Sequence, residues 1–142
     1  MYLIKVRTTF SAALRLHSPE LSEEQNFALY GVCASPHGHG HDYDVEVAFA
    51  GNMDPKTGMV ANFYELQQLV DKEIFQRVDH KNLNTDVDFM RGLVPTTENL
   101  VAKFWELLAP HCPQGLKLHS VTIGERSNNI VSYLGPDVAP VG

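Results

Sequence analysis

The chain has 142 residues, 44% hydrophobic and 20% charged, with a formal net charge of −6. That length suits one domain, residues 1–142, with a real core, and no apolar run approaches the roughly 20 residues that cross a bilayer. The acidic balance argues against a nucleic-acid-binding surface, and two cysteines, Cys33 and Cys112, do not make the disulfide framework of a secreted scaffold.

The N-terminus, "MYLIKVRTTF", lacks the layout of a signal peptide, so a cytoplasmic protein is expected. A single Cys33–Cys112 disulfide remains compatible with the sequence. Residues 2 to 16 begin with β-type residues and read as a long first strand. Residues 18 to 31 start polar and read as a loop with at most a helical turn. "DYDVEVAFAG" alternates, with Tyr43, Val45, Val47 and Phe49 on one face and Asp42, Asp44 and Glu46 on the other, as in a half-buried strand.

Residues 63 to 78 place Phe63, Leu66, Leu69, Val70 and Ile74 at helical spacing. Asn62 with Glu65 resembles a capping box. A second helix runs from about Thr97 to Leu108, capped by Thr96 or Thr97, with Leu100, Val101, Phe104, Leu107 and Leu108 as its stripe. A strand follows at 117 to 125, then a turn, "RSNN", and a last strand from Ile130 to Leu134. The order β-β-α-α-β-β predicts an α+β domain: an antiparallel four-stranded sheet with two helices on one face.

"PHGHGHDYDVEV", residues 36 to 47, sets His37, His39 and His41 at alternate positions. Side chains at i and i+2 on a strand share a face, about 7 Å apart, so two neighbouring imidazoles can converge on one metal ion. His37 and His41 would be about 13 Å apart on a straight strand. His39 and His41 are the better pair, since they continue the face of Tyr43 and Val45. A polar, histidine-rich turn is the alternative. Catalytic zinc takes three protein ligands and keeps one position open, so a further ligand must come from elsewhere.

Six stretches then point to one family. "FSAALRLHS", "YGVCASPHGHGHDYDVEVAFAG", "MDPKTGMVANFYELQQLV", "VDHKNLN", "PTTENL" and "GERSNNIVSYLG" resemble, in order, the 6-pyruvoyl-tetrahydropterin synthase family, which includes the 6-carboxytetrahydropterin synthases. The resemblance implies a T-fold whose subunits join their sheets into a barrel, typically a homohexamer of two stacked trimers. It implies zinc-dependent action on 7,8-dihydroneopterin triphosphate, eliminating triphosphate to give 6-pyruvoyl-tetrahydropterin. The length of "CASPHGHGH" favours the pyruvoyl product over the carboxy product.

On the matching positions the resemblance implies His39 and His41 as zinc ligands and Cys33 as the proton-abstracting residue. It makes Asp79 and His80 an acid–base pair, an arrangement in which a carboxylate orients an imidazole for proton relay. Glu125 becomes the pterin anchor, a carboxylate able to accept two hydrogen bonds from an amidine-like edge. Thr96 and Thr97 match substrate-contacting positions. Two departures stand out. Leu14 lies where the family has its first zinc-binding histidine, with His17 and His37 as neighbouring candidates, and Arg126 replaces a threonine. Leu14 keeps a non-catalytic pterin-binding homologue among the readings.

Overall fold

Two strands of thirteen residues carry the fold, β1 (Tyr2–Leu14) and β2 (His39–Gly51). They pair antiparallel along their whole length, from Tyr2 opposite Gly51 to Leu14 opposite His39. The computed structural model describes residues 1–126 and 128–142. Ser127, within the turn read at 126–129, lies outside them.

Between these strands come α1 (Glu23–Tyr30) and a 3-10 turn, Gly31–Ala34. After β2 the chain forms α2 (Phe63–Val70), a π-helical turn (Asp71–Phe75) and α3 (Gln76–Val78). Then follow β3 (Lys81–Asn82), α4 (Thr97–Leu108), β4 (Lys117–Glu125) and β5 (Asn129–Tyr133). The sheet order is β3-β1-β2-β4-β5, antiparallel except for the β1–β3 pair.

The expected α+β arrangement is present, with two corrections. The sheet has five strands rather than four, because β3 adds two residues parallel to β1 at Ala12 and Ala13. Two residues are too few to show a period, so the sequence gives no sign of them. A third helix, α1, stands where a loop was expected. Its apolar residues do not gather on one face, and Phe27 and Leu29 are exposed. Capping and one buried side chain hold it instead. Ser22 and Gln25 form a reciprocal capping box. Asn26, fully buried, accepts from the Ser18 N–H at 2.7 Å and donates to the carbonyls of Ser18, Leu21 and Ser22.

The run from 63 to 78 buries Leu66, Val70, Ile74 and Val78, each four residues apart. An α-helix turns about 100° per residue, so each four-residue step overshoots by about 40°. The wider π turn at Asp71–Phe75 takes up part of that drift and keeps the four side chains on the core. Asn62 caps α2 through the Tyr64 N–H, without the reciprocal Glu65 bond of a full box. α2 lies against β1, and α4 against β4 and β5. Under them lies the sheet's covered face, with Phe10, Tyr43, Val45, Val47, Val121 and Ile123 buried.

The opposite face is polar and paired across the strands. Arg7 donates to Glu46 at 2.8 Å, Thr9 donates to Asp44 at 2.9 Å, and Ser11 donates to Asp42. Among the described residues no helix is long and apolar enough to cross a membrane.

Asn26→Ala should destabilise the fold by roughly 2–3 kcal/mol, since it leaves the Ser18 N–H and the Leu21 carbonyl without their partner in a part-buried place. Ser22→Ala should cost only about 1 kcal/mol, the ordinary loss of a helix cap. Urea unfolding midpoints of the two variants would show this order, and equal losses would contradict it.

Candidate functional site

The covered face of the sheet turns polar at one end. β2 begins at His39, three residues earlier than its alternating run suggested. Gly38 takes a left-handed turn, φ 73°, and passes so close to β1 that a Cβ there would lie 3.0 Å from the Leu14 carbonyl oxygen. Only glycine allows that approach without strain. The pairing then places His39 opposite Leu14, His41 opposite Ala12 and Tyr43 opposite Phe10. Opposed residues in an antiparallel pair share a face. His39 and His41 therefore do continue the face of Tyr43 and Val45. His37 stays outside the strand and exposed.

The two imidazoles meet edge to face, ring centres 4.6 Å apart. His39 Nδ1 and His41 Nε2 are both buried, and neither has a hydrogen-bond partner. Burial, with His41 beside it, holds His39 below the ordinary histidine range despite the opposing pull of Glu125. A neutral imidazole with a free nitrogen is the form that binds metals. His41 Nε2 lies 2.8 Å from Glu125 Oε1. The contact is close, yet its geometry is not that of a hydrogen bond, since Nε2 remains without a partner.

Glu125, at the end of β4, is opposite Tyr43 in the β2–β4 register. This puts it on the covered face, as its parity with Val121 and Ile123 required. Its Oε2 accepts a hydrogen bond from Thr97 Oγ1 at 2.9 Å. The two threonines divide the work at the start of α4. Thr96 caps the helix, accepting from the Asn99 N–H, and so leaves Thr97 free to turn inward.

Tyr43 is a member of this group that sequence reasoning saw only as core. It is buried, stacks on Phe10 with ring centres 4.8 Å apart and meets His41 edge-on at 6.0 Å. Burial pushes its phenol well up, and the neighbouring Glu125 and Cys33 add to the effect. Its signal in the sequence was its place two residues after His41. Cys33 reaches this neighbourhood because the 3-10 turn is tied to the end of β1. Leu16 N–H donates to the Cys33 carbonyl at 2.8 Å, and Arg15 Nε donates to the Ala34 carbonyl at 2.9 Å. Cys33 and Cys112 are both free thiols, and burial pushes that of Cys112 up.

Asp79 and His80 form the expected pair at another place. Asp79 Oδ1 accepts from the Ser11 N–H at 3.0 Å, and the His80 N–H donates to the Ser11 carbonyl at 2.6 Å. The dyad is thereby clamped to the β3 side of β1. His80 has a left-handed backbone, φ 58°, a conformation that costs free energy and gathers at functional sites. Its Nδ1 donates to Asp79 Oδ2 at 2.7 Å, which leaves Nε2 facing outward on a ring that is 82% exposed. The bonds from Ser11 and then His80 hold the Asp79 carboxyl below its usual range. His80 and His41 both border a shallow depression of about 520 Å³. Among the described residues no hydrogen bond or ion pair joins the dyad to the histidine pair.

Two nitrogens thus fit a metal ion, and a third donor does not follow. Leu14, 2% exposed, occupies the position opposite His39. His17 is engaged with Glu23 at 3.1 Å. Among the described residues no group of three or more His, Cys, Asp or Glu side chains is arranged to hold a metal. The donor set falls one short of a catalytic zinc centre.

The chain is similar to known proteins over nearly its whole length. The family model described as 6-pyruvoyl tetrahydropterin synthase matches residues 3–136. The 6-pyruvoyl tetrahydrobiopterin synthase of Drosophila melanogaster is 44% identical over 92% of this chain and 77% of its own. That of Homo sapiens is 45% identical over 91% of this chain and 88% of its own. The solved structure of Caenorhabditis elegans 6-pyruvoyl tetrahydropterin synthase superposes with a TM-score of 0.87 at 37% identity, covering 94% of this chain and 95% of that one.

The Asp79 clamp gives an acid-side prediction. Its carboxyl is held below its ordinary range in the folded chain, so the unfolded chain binds a proton more readily as pH falls. The stability it contributes is complete above the unfolded value and is lost as pH drops through the lower folded one. Thermal unfolding followed from about pH 5 down to about pH 2 should show a shallower acid decline in Asp79→Asn than in the wild type. Parallel declines would contradict the clamp.

Proposed function

We propose that this chain, which belongs to the 6-pyruvoyl tetrahydropterin synthase family, converts 7,8-dihydroneopterin triphosphate to 6-pyruvoyl-tetrahydropterin with elimination of triphosphate, as a cytoplasmic homohexamer. The observation that carries the reading is the Glu125 carboxylate. It sits on the covered face, is steered by Thr97 and lies beside His41 and Tyr43. In this role it accepts two hydrogen bonds from the amidine-like edge of the pterin, fixing the ring's position and rotation. Proton transfer falls to Cys33, whose thiolate is the reactive form, and to the Asp79–His80 pair. Asp79 holds Nδ1–H, so Nε2 takes or gives the proton.

The strand order supports the barrel. The sheet's two edges are β3 and β5. β5 offers unpaired backbone groups, an edge that closure would satisfy, with Ile130 exposed on it and Leu134 exposed just beyond its end. Joining the β3 edge of one copy to the β5 edge of the next brings Asp79 and His80 toward the Glu125 end of the neighbour. This accounts for a relay histidine standing exposed and away from the anchor of its own subunit.

Zinc, implied by the resemblance, would when bound polarise the hydroxyls of the substrate side chain. The residues of this chain offer two ligands for it, His39 and His41, and the steps above are assigned to protein groups only. The shortfall at Leu14 favours one second reading, a pterin-binding homologue that has lost catalysis.

Three measurements test these readings. Cys33→Ala should lower turnover of dihydroneopterin triphosphate by about 10²- to 10⁴-fold while leaving pterin binding, followed by fluorescence, nearly unchanged. Unaltered turnover would remove Cys33 from the mechanism, and a wild type that binds pterin without forming product would favour the second reading. Thr97→Val keeps the Thr96 cap and should weaken pterin binding roughly tenfold, the loss of one hydrogen bond to a charged group. Sedimentation equilibrium should give six times 15.8 kDa, and a stable monomer would end the barrel argument.

A further inference from the structure

We propose that this chain holds a divalent transition metal on His39 and His41 alone, as an exchangeable ion, because Leu14 closes the position from which a third side chain would reach it. The inference concerns metal binding alone.

The pairing of β1 with β2 is the first argument. Directly opposed residues of an antiparallel pair have Cβ atoms about 4.5–5.5 Å apart. Position 14 faces His39 in this register, and it is occupied by a hydrocarbon side chain that is 2% exposed. A leucine offers no lone pair. Nor can the backbone swing another residue into its place, since β1 is pinned on both sides there. Gly38 packs against the Leu14 carbonyl, the Leu83 N–H donates to the Ala13 carbonyl at 2.8 Å, and the Leu16 N–H is bonded to Cys33.

Among the described residues no other His, Cys, Asp or Glu joins the pair to make a three-ligand set. His17 pairs with Glu23, in a segment tied down by Arg15 and Leu16. His37 lies beyond the Gly38 turn and is exposed. Glu125 commits Oε2 to Thr97, while its Oε1 lies against His41 Nε2 at 2.8 Å, as an ion-pair contact. What remains is two buried nitrogens without a hydrogen-bond partner, His39 Nδ1 and His41 Nε2, the latter 2.8 Å from the Glu125 carboxylate. An unpaired buried polar atom is costly, and a metal ion satisfies both at once. Imidazole suits zinc, copper, nickel and cobalt. With two protein ligands the ion completes its shell with water. Its occupancy then follows the ambient metal concentration instead of being fixed at folding.

The test measures binding directly, in the absence of any pterin. The full chain is dialysed against a chelator and titrated with Co²⁺ and Zn²⁺, by calorimetry and by the visible absorption of Co²⁺. The wild type should surrender its metal to the chelator and rebind one ion weakly. Loss of a residue that merely supports a ligand costs about 10- to 100-fold in affinity, so Leu14→His, which adds a whole ligand, should bind at least about 100-fold more tightly. Its Co²⁺ spectrum should shift toward the intense bands of a tetrahedral site. His39→Ala and His41→Ala should each lose the weak binding of the wild type.

A wild type that keeps one zinc per chain through chelator dialysis overturns the proposal. So does a folded Leu14→His that binds no more tightly. Should Leu14→His not fold, the two alanine variants decide: loss of binding in both supports the pair, and undiminished binding in either overturns it. Product formation is measured separately, so a failure here leaves the synthase reading standing, and the reverse holds.

Discussion

Everything at the candidate site depends on the register between β1 and β2. Side chains alternate along a strand with a period of two, so a slip of one residue would send every site residue to the other face. The register is fixed from both directions. Phe10, Val6, Tyr43 and Val47 must be buried on one face, and Arg7, Thr9 and Ser11 find Glu46, Asp44 and Asp42 on the other. These two requirements agree on one alignment. In that alignment Leu14, His39 and His41 arrive on the covered face beside Glu125, whether or not their chemistry favours being there.

The site therefore carries a cost. A face that is hydrocarbon along most of its length ends in two imidazoles, a carboxylate, a phenol and a thiol. Two of the imidazole nitrogens are left without partners. Such breaks in local consistency collect at functional sites, where chemistry is selected over stability. The neighbourhood is built to hold them. Thr96 takes the helix cap so that Thr97 can serve Glu125, and Phe10 supports Tyr43 by stacking. The Asn26 knot and the Leu16–Cys33 bond bring a non-amphipathic helix and the thiol to the end of β1.

The Asp79–His80 pair follows a different logic. The Ser11 N–H donates to the Asp79 carboxylate and the His80 N–H donates to the Ser11 carbonyl, which holds the pair to the β3 side of β1, and its histidine stays in solvent. Among the described residues no hydrogen bond or ion pair joins the pair to Glu125 or to the two buried imidazoles. The dyad immediately precedes β3 at one edge of the sheet, and Glu125 ends β4 toward the other.

The sequence by itself determined the strand faces, because a period of two or of 3.6 is written directly in the order of residues. From it came the alternating strand at 42–51 with Tyr43, Val45 and Val47 inward, the helices at 63–78 and 97–108, the inward parity of Glu125 and the pairing of His39 with His41. The six family motifs and the absence of a donor at position 14 were equally legible. Tertiary structure alone decided what has no period. β3 is two residues whose only partner is distant in the chain, and α1 is a helix held by a cap and one buried asparagine rather than by an apolar stripe. Which threonine caps and which serves the carboxylate depends on Glu125, 28 residues away from Thr97. The burial of two unpartnered nitrogens, and the placing of Leu14 opposite one of them, required the strands to be paired. Contacts between residues far apart in sequence are fixed by register and packing, and neither leaves a local mark.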